Sequence, residues 1–458
     1  MSTIAIQGAG SEREWGNSTN SIPERLRTQS CHTASGKEKL VAFLLGLGAR
    51  LNIKLIGYLP FSELALIALF PLLFGRYAAT GAIKRASLPL TLLAVWLGGQ
   101  IFTDIYRSTD LSLAARGCAR IIVFTTCIPF FMDFMKKGCY QKILWFTIGL
   151  VPSFALSAFV FRSGVHEGRE RVYGVSEINW ETHWGGVFGG IVLILCLYLY
   201  GRSRVACYSL AAGMGAYQIL RGSRSTGGLG IFGVALTIAV NALVGRDWFA
   251  RVRRGLSFPK FVLLVAVIFS AGYGTLSAYS YAASRGMLGD KSLQKYMAQS
   301  ATRFGLIGGG RPGFICGLLA ISESPWIGYG SWPTDETDLM KRTCDLLGVK
   351  YQKPSIRDYP VIPAHSQLLI AWVEAGFAGV FFWTYLLVTF FRATYARLED
   401  ERRLRWYITN MAVLSIWNIL FSPISGRIET AMMLAVILNQ TVNTKRFFGG
   451  SDNFSALR

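Results

Sequence analysis

Apolar runs of roughly 17 residues or more recur along the chain, each long enough to cross a bilayer core about 30 Å thick. Few fold classes accommodate such a repeat. In the 458 residues, 52% are hydrophobic and only 16% are charged, whereas a soluble chain carries about a quarter charged residues. The mean hydropathy is +0.37. The pattern predicts an all-α, polytopic membrane protein with about twelve transmembrane helices. Their expected positions are 40–54, 59–74, 87–104, 113–134, 143–161, 185–201, 204–220, 226–244, 259–278, 365–391, 405–421 and 430–444. Arg50 and Lys54 interrupt the first two.

Topology follows from the connecting charges, because cytoplasmic loops accumulate lysine and arginine. The loops holding Arg76, Lys84, Lys136, Lys142, Arg202, Arg253 and Arg402 form the richer set. Placing them inside makes both termini cytosolic. The domain plan is then a polar, disordered cytosolic tail at 1–37, a transmembrane domain at 38–444, and a cytosolic tail at 445–458. A long external loop, about 280–363, lies within the domain. Residues 1–37 lack the short apolar core of a cleavable signal, so the tail is expected to persist.

That loop has the composition of a folded segment. Arg311-Pro312 predicts a helix start, since proline suits the first helical position, and Pro325 bounds its end. Thr334, Asp335 and Glu336 predict a second start, with Gly348 as its stop. A long loop with structure of its own usually covers a site.

The net charge of +21 is read as topology-setting residues plus sites for anions, with no nucleic acid as partner. The eight cysteines include no CxxC pair and the four histidines form no HExxH, so no metal is expected. Cys316 and Cys344 are read as unrelated thiols. Gly308, Gly310 and Gly313 match GxGxxG, but no strand precedes them. Gly185 and Gly189 are expected to let helices pack closely.

Several polar residues fall on the external side. Arg116 and Arg120 enter the fourth span from outside, four residues apart on one helix face. With no acid among their near helical neighbours, they suit a dianion such as pyrophosphate, because guanidinium forks bind phosphate oxygens bidentately. Snorkelling to the headgroups is the other reading. Arg224 precedes the eighth span and Arg311 sits in the loop. His365 opens the tenth span, where the helix dipole and nearby arginines disfavour imidazolium. A neutral imidazole can accept a proton as a general base; a packing histidine is the alternative. Glu374 is half a turn out of phase with His365 and is expected to orient a neighbouring helix.

Three stretches occur in the order SRSTGGLGIFGVAL, RPGFICGLLAISESPWIGYGSW and PAHSQLLIAWVEAGFAG. Together they resemble the O-antigen ligase and O-antigen polymerase family of bacterial envelopes. That family carries Ser-Arg-Gly at one helix mouth, here Ser223-Arg224. It then has a loop arginine and an aromatic, here Arg311 and Phe314, and Pro-x-x-Gly-x-Gly, here Pro325, Gly328 and Gly330. A His-Asn opens a helix running to Glu-x-Gly-x-x-Gly, here His365, Glu374, Gly376 and Gly379. Ser225 stands in place of the family's glycine and Ser366 in place of its asparagine.

The resemblance implies a membrane glycosyltransferase on the periplasmic face of the bacterial inner membrane. It would move a glycan from an undecaprenyl-pyrophosphate carrier to an acceptor hydroxyl on lipid A core, another carrier-linked repeat or a protein. His365 would be the base. Arg224, Arg311, Arg116, Arg120 and Arg221 would hold the pyrophosphate, with Ser223, Ser366 and Glu374 in support. Arg303 competes with Arg311 for the loop role. The transfer would be metal-independent, free of cofactors and inverting. Ligase and polymerase readings stay open. So does a transporter or flippase that binds the same lipid-linked anion without cleaving it.

Overall fold

The computed structural model describes residues 33–54, 58–160, 178–220, 224–244, 277, 279–305, 309–349, 361–395, 404–422 and 426–448. Over these residues the chain is mostly helical, with one two-stranded antiparallel hairpin. The first half runs α1 (Gly36–Gly48), β1 (Asn52–Lys54), β2 (Tyr58–Pro60), α2 (Phe61–Ala79), α3 (Ala82–Arg85), α4 (Ser87–Tyr106), α5 (Leu111–Phe134) and α6 (Cys139–Val160). The second half runs α7 (Ile178–Tyr200), α8 (Arg204–Leu220), α9 (Arg224–Val244), α10 (Asp290–Ser300), α11 (Pro312–Glu323), α12 (Leu339–Leu347), α13 (Gln367–Ala375), α14 (Val380–Tyr395), α15 (Arg405–Phe421) and α16 (Arg427–Phe448).

By length and composition, four helical segments among the described residues can cross a membrane: Phe61–Ala79, Ser87–Tyr106, Leu111–Phe134 and Gln367–Thr394. Shorter apolar helices cover Gly185–Tyr200, Ser225–Ala239 and Pro312–Glu323. The expected span at 259–278 lies almost wholly outside the described residues, as does most of the 1–37 tail.

Two expected features take a different form. The run at 40–54 is a helix only to Gly48. At 1.5 Å per residue its 13 residues reach about 20 Å, short of a bilayer core. The chain breaks at Arg50, whose guanidinium pairs with Glu429 at 2.6 Å while its N–H donates to Ser153 at 3.1 Å. Beside it Arg427 binds Glu63 in a fork at 2.5–3.1 Å. The end of the supposed disordered tail is also ordered. Ser35 caps α1 reciprocally with Glu38, a capping box.

Aromatic packing ties the centre together. Trp96 of α4 stacks on Phe382 of α14 with centroids 5.9 Å apart, and Phe124 of α5 meets Trp383 edge-on at 5.6 Å. All four side chains are buried. Glycines set the closest helix contacts: a Cβ at Gly46 of α1 or Gly149 of α6 would overlap a backbone carbonyl of the other helix. On α7 the close approach falls one position after the expected pair. Gly186 lies against the Phe154 ring and Gly190 against Val151, while Gly185 and Gly189 have ordinary clearance.

Candidate functional site

The loop after α11 seals the upper half of the bundle. In PWIGYGS, Gly328 and Gly330 adopt φ of +82° and +87°, the left-handed region that other residues enter only at a cost. This geometry lets Tyr329 and Gly330 N–H donate to Val373 and Glu374 carbonyls at 2.8 and 3.0 Å. Those are orphan acceptors at the C-terminus of α13. Gly376, at φ +60°, breaks the helix there because a Cβ would overlap the Trp326 carbonyl. The expected span at 365–391 falls in one helical segment, Gln367–Thr394, that is long and apolar enough to cross a membrane and contains a 3₁₀ turn at Gly376–Gly379.

On its other side the loop meets α4. Arg107 Nε donates to the Gly328 carbonyl at 2.9 Å and Thr103 Oγ1 to the Ile327 carbonyl at 2.5 Å. Asp104 accepts from Ser331 N–H at 2.6 Å and Ser331 Oγ at 2.7 Å. Gln100 Nε2 donates to the same Oγ at 2.9 Å. A few ångströms on, buried Glu374 and Arg120 form an ion pair, with the guanidinium 5.8 Å from the Trp96 ring centre. Most polar groups here have a protein partner, as burial in apolar surroundings demands; Gln100 Oε1 and Arg120 Nε are buried without one.

A second, more open cluster lies where α11 and α13 begin and α15 ends. Ser366 caps α13, its Oγ accepting from Leu369 N–H at 3.1 Å and donating to the Ile419 carbonyl at 2.9 Å. His365, one residue earlier, is half-buried. Its ring lies on α11, where a Cβ at Gly313 would overlap Cδ2 and sit 3.2 Å from Nε2. One turn on, Ala364 rests over Gly317, with 3.0 Å to a Cβ there. Gly313 and Gly317 thus form a groove that receives the His365 segment. The segment is also pinned by the Thr334–Val361 bridge and by Ile362 N–H donating to the Pro333 carbonyl at 2.9 Å.

Arg311, the N-cap of α11, donates to the Phe421 carbonyl. Its guanidinium lies 5.1 Å from the Trp417 ring centre and 5.5 Å from that of Phe421. Burial lowers its pKa from the usual arginine value, yet a guanidinium stays charged at neutral pH. Arg311 and the His365–Ser366 pair thus both reach the last turn of α15. The N-termini of α11 and α13, each a partial positive charge, meet there too.

The arginines divide. Arg311 shares the His365 cluster, whereas Arg303 is exposed beside Gly348, donating its N–H to the Leu347 carbonyl at 2.9 Å. Arg116 is exposed on α5. Arg120 is buried against Glu374, so the fold supplies it with the counter-ion that helical neighbours lack. Glu374 of α13 is thereby ion-paired with α5. Arg224 opens α9, and only its backbone position is described. Arg221 and Ser223 lie outside the described residues.

Sequence reasoning passed over Gln100 and Asp104. Their signal was available: two polar residues one helical turn apart inside an apolar span need partners. Cys316 and Cys344 are free thiols. Burial pushes the Cys316 pKa up to about 12 and raises that of Cys344, so both are protonated at neutral pH. Asp335 rather than Thr334 supports α12, accepting from Leu339 and Met340 N–H at 2.7 and 2.8 Å. Gly348 ends that helix at φ +69°.

Comparison of the chain with protein-family models, curated proteins and solved structures gives no match.

Proposed function

We propose that the chain is a membrane glycosyltransferase of the O-antigen ligase or polymerase type. It moves a glycan from an undecaprenyl-pyrophosphate carrier to an acceptor hydroxyl at the outer face of the bacterial inner membrane. The observation that carries the reading is the junction of α11, α13 and α15, where the His365 ring packs on the first turn of the helix that Arg311 caps.

In this reading His365 takes the proton from the attacking hydroxyl. The oxygen bonds to the anomeric carbon as the bond to pyrophosphate breaks, and the carrier leaves with the electron pair. A single displacement inverts the anomeric centre. Arg311 and the two helix N-termini stabilise the developing phosphate charge. A fixed charge partner of this kind is commonly worth about 3 kcal/mol, or about a hundredfold in rate. Pyrophosphate is a competent leaving group, so the reading needs no metal.

Arg224 is assigned to the same pole. Arg224 opens α9, and α9 packs on α15 where Gly233 meets Asn410. The reading also gives Arg116 and Arg221 a share in holding the pyrophosphate, the latter from outside the described residues. Arg120, buried and paired with Glu374, serves as scaffold in this reading and does not hold the pyrophosphate. The acceptor is a lipid A core, a second carrier-linked repeat or a similar hydroxyl.

The test compares donor binding with transfer. His365→Ala should bind the carrier-linked glycan as the wild type does and form no product. Product at the wild-type rate would remove His365 as base and favour a carrier that only moves the lipid-linked anion.

A further inference from the structure

At the other end of the bundle, α1, α6 and α7 line two neighbouring open cavities. The first, about 380 Å³, is lined by Lys39, Tyr140, Gln141, Trp145, Tyr198 and Arg202, among others. The second, about 350 Å³, is lined only by apolar side chains, including Phe43, Val151, Ile194 and Leu195. The same three helices supply both walls. Phe43 follows Lys39 by one helical turn, a step of about 6 Å. Polar cavity and apolar cavity are thus successive levels of one interhelical groove.

The polar level carries two cations. Among the described residues no carboxylate pairs with Lys39 or Arg202. The nearest acid by sequence, Glu38, is held by Lys142 at 2.6 Å. The Arg202 guanidinium is 4.1 Å from the Tyr198 ring centre, and the Gln141 side chain is fixed by Ala34 N–H at 2.7 Å. The cationic level opens at the start of α6, the end of the bundle to which α5 descends. Loop 324–331 docks at the opposite end, beside Gly117 near the start of α5. Basic residues also crowd the cavity's end of the bundle: Lys136, Lys137 and Arg204.

We infer that this groove binds an anionic phospholipid, its phosphate between Lys39 and Arg202 and one acyl chain along Phe43, Val151 and Leu195. Two cations over an apolar slot match a charged headgroup on a hydrocarbon tail, and basic pockets between transmembrane helices take such headgroups. The site is separate from the His365 cluster, and its occupancy does not depend on glycan transfer.

The test is lipid retention by the purified full chain in neutral detergent, read by native mass spectrometry. Dioleoylphosphatidylglycerol should be retained about tenfold over dioleoylphosphatidylcholine, the order expected of two interfacial cations. Lys39→Gln with Arg202→Gln should reduce that preference to roughly twofold or less, while Lys136→Gln with Lys137→Gln should keep it. Inorganic phosphate should not displace the lipid. Equal retention of the two lipids by the wild type would overturn the inference and needs no variant to fold. It is also the outcome if an apolar segment of this chain, such as 259–276, fills the groove. An unchanged preference in the Lys39/Arg202 variant, or displacement by phosphate, would overturn it as well.

Discussion

Two charged clusters occupy the upper half of the bundle, and they are built on opposite plans. Around Arg120, Glu374, Asp104 and Ser331 the side chains are buried and bonded to one another. Around His365 and Arg311 they are half-exposed, and Arg311 and Ser366 donate to backbone carbonyls of α15. A guanidinium bound to a carboxylate is neutralised; one bound to a carbonyl keeps its charge for an incoming anion. From the sequence, Arg120 in its span and Arg311 in the loop are both expected to hold pyrophosphate. The partner separates scaffold from site.

Variants can break this contrast. The largest effect is expected at Glu374→Gln, which leaves the Arg120 cation buried and unpaired. Loss of one member of a buried pair costs about 3–5 kcal/mol, read as a large fall in thermal stability in detergent. Replacing both partners by leucine should restore much of that loss. If Glu374→Gln melts like the wild type, the pair is not scaffold.

Arg311→Lys should do the reverse. Its stability should stay within about 1 kcal/mol, whereas transfer should fall about a hundredfold through loss of the fork. Unchanged transfer would take Arg311 out of the site.

Gly313→Ala sharpens the comparison, because its methyl would overlap the His365 ring. Overpacking of this kind costs about 1–3 kcal/mol, and kcat should fall more than donor binding as the imidazole shifts. Equal activity would show that the ring has room to move.

The smallest effect is expected at Ser366→Ala, about 1 kcal/mol for a lost N-cap. Ser366→Asn should largely retain stability, since asparagine also caps. If the two substitutions melt alike, the cap is not what holds His365 in place.

Helix positions were largely legible because apolar length is a strong signal. Residues 87–104 became Ser87–Tyr106, 113–134 became Leu111–Phe134, and 405–421 became Arg405–Phe421. Where the reading diverged, a tertiary contact was the cause. The run at 40–54 breaks because Arg50 has a counter-ion in α16, far along the chain. Within the run at 365–391 the α-helix is interrupted at Gly376, whose φ of +60° and missing Cβ let the Trp326 carbonyl lie against it. The close helix contact on α7 belongs to Gly186 and Gly190 because α6 lies on that side.

At the site, residue types pointed to His365 and Arg311, and the fold brought their segments together through Gly313. Gly313 had looked like part of a weak nucleotide motif; its absent side chain instead makes room for the imidazole. The Arg120–Glu374 pairing was invisible from the fourth span alone. Its acid comes from more than two hundred residues away, and helical spacing reports only near neighbours.

The decisive measurement is transfer itself. Purified protein is given undecaprenyl-pyrophosphate-linked glycan and a candidate acceptor in the presence of a chelator, and the products are weighed. The expected result is a glycan joined to an acceptor hydroxyl, with the carrier pyrophosphate released, in wild-type protein and not in His365→Ala. Intact donor recovered from wild-type protein across all candidate acceptors, or the same product from His365→Ala, would contradict it.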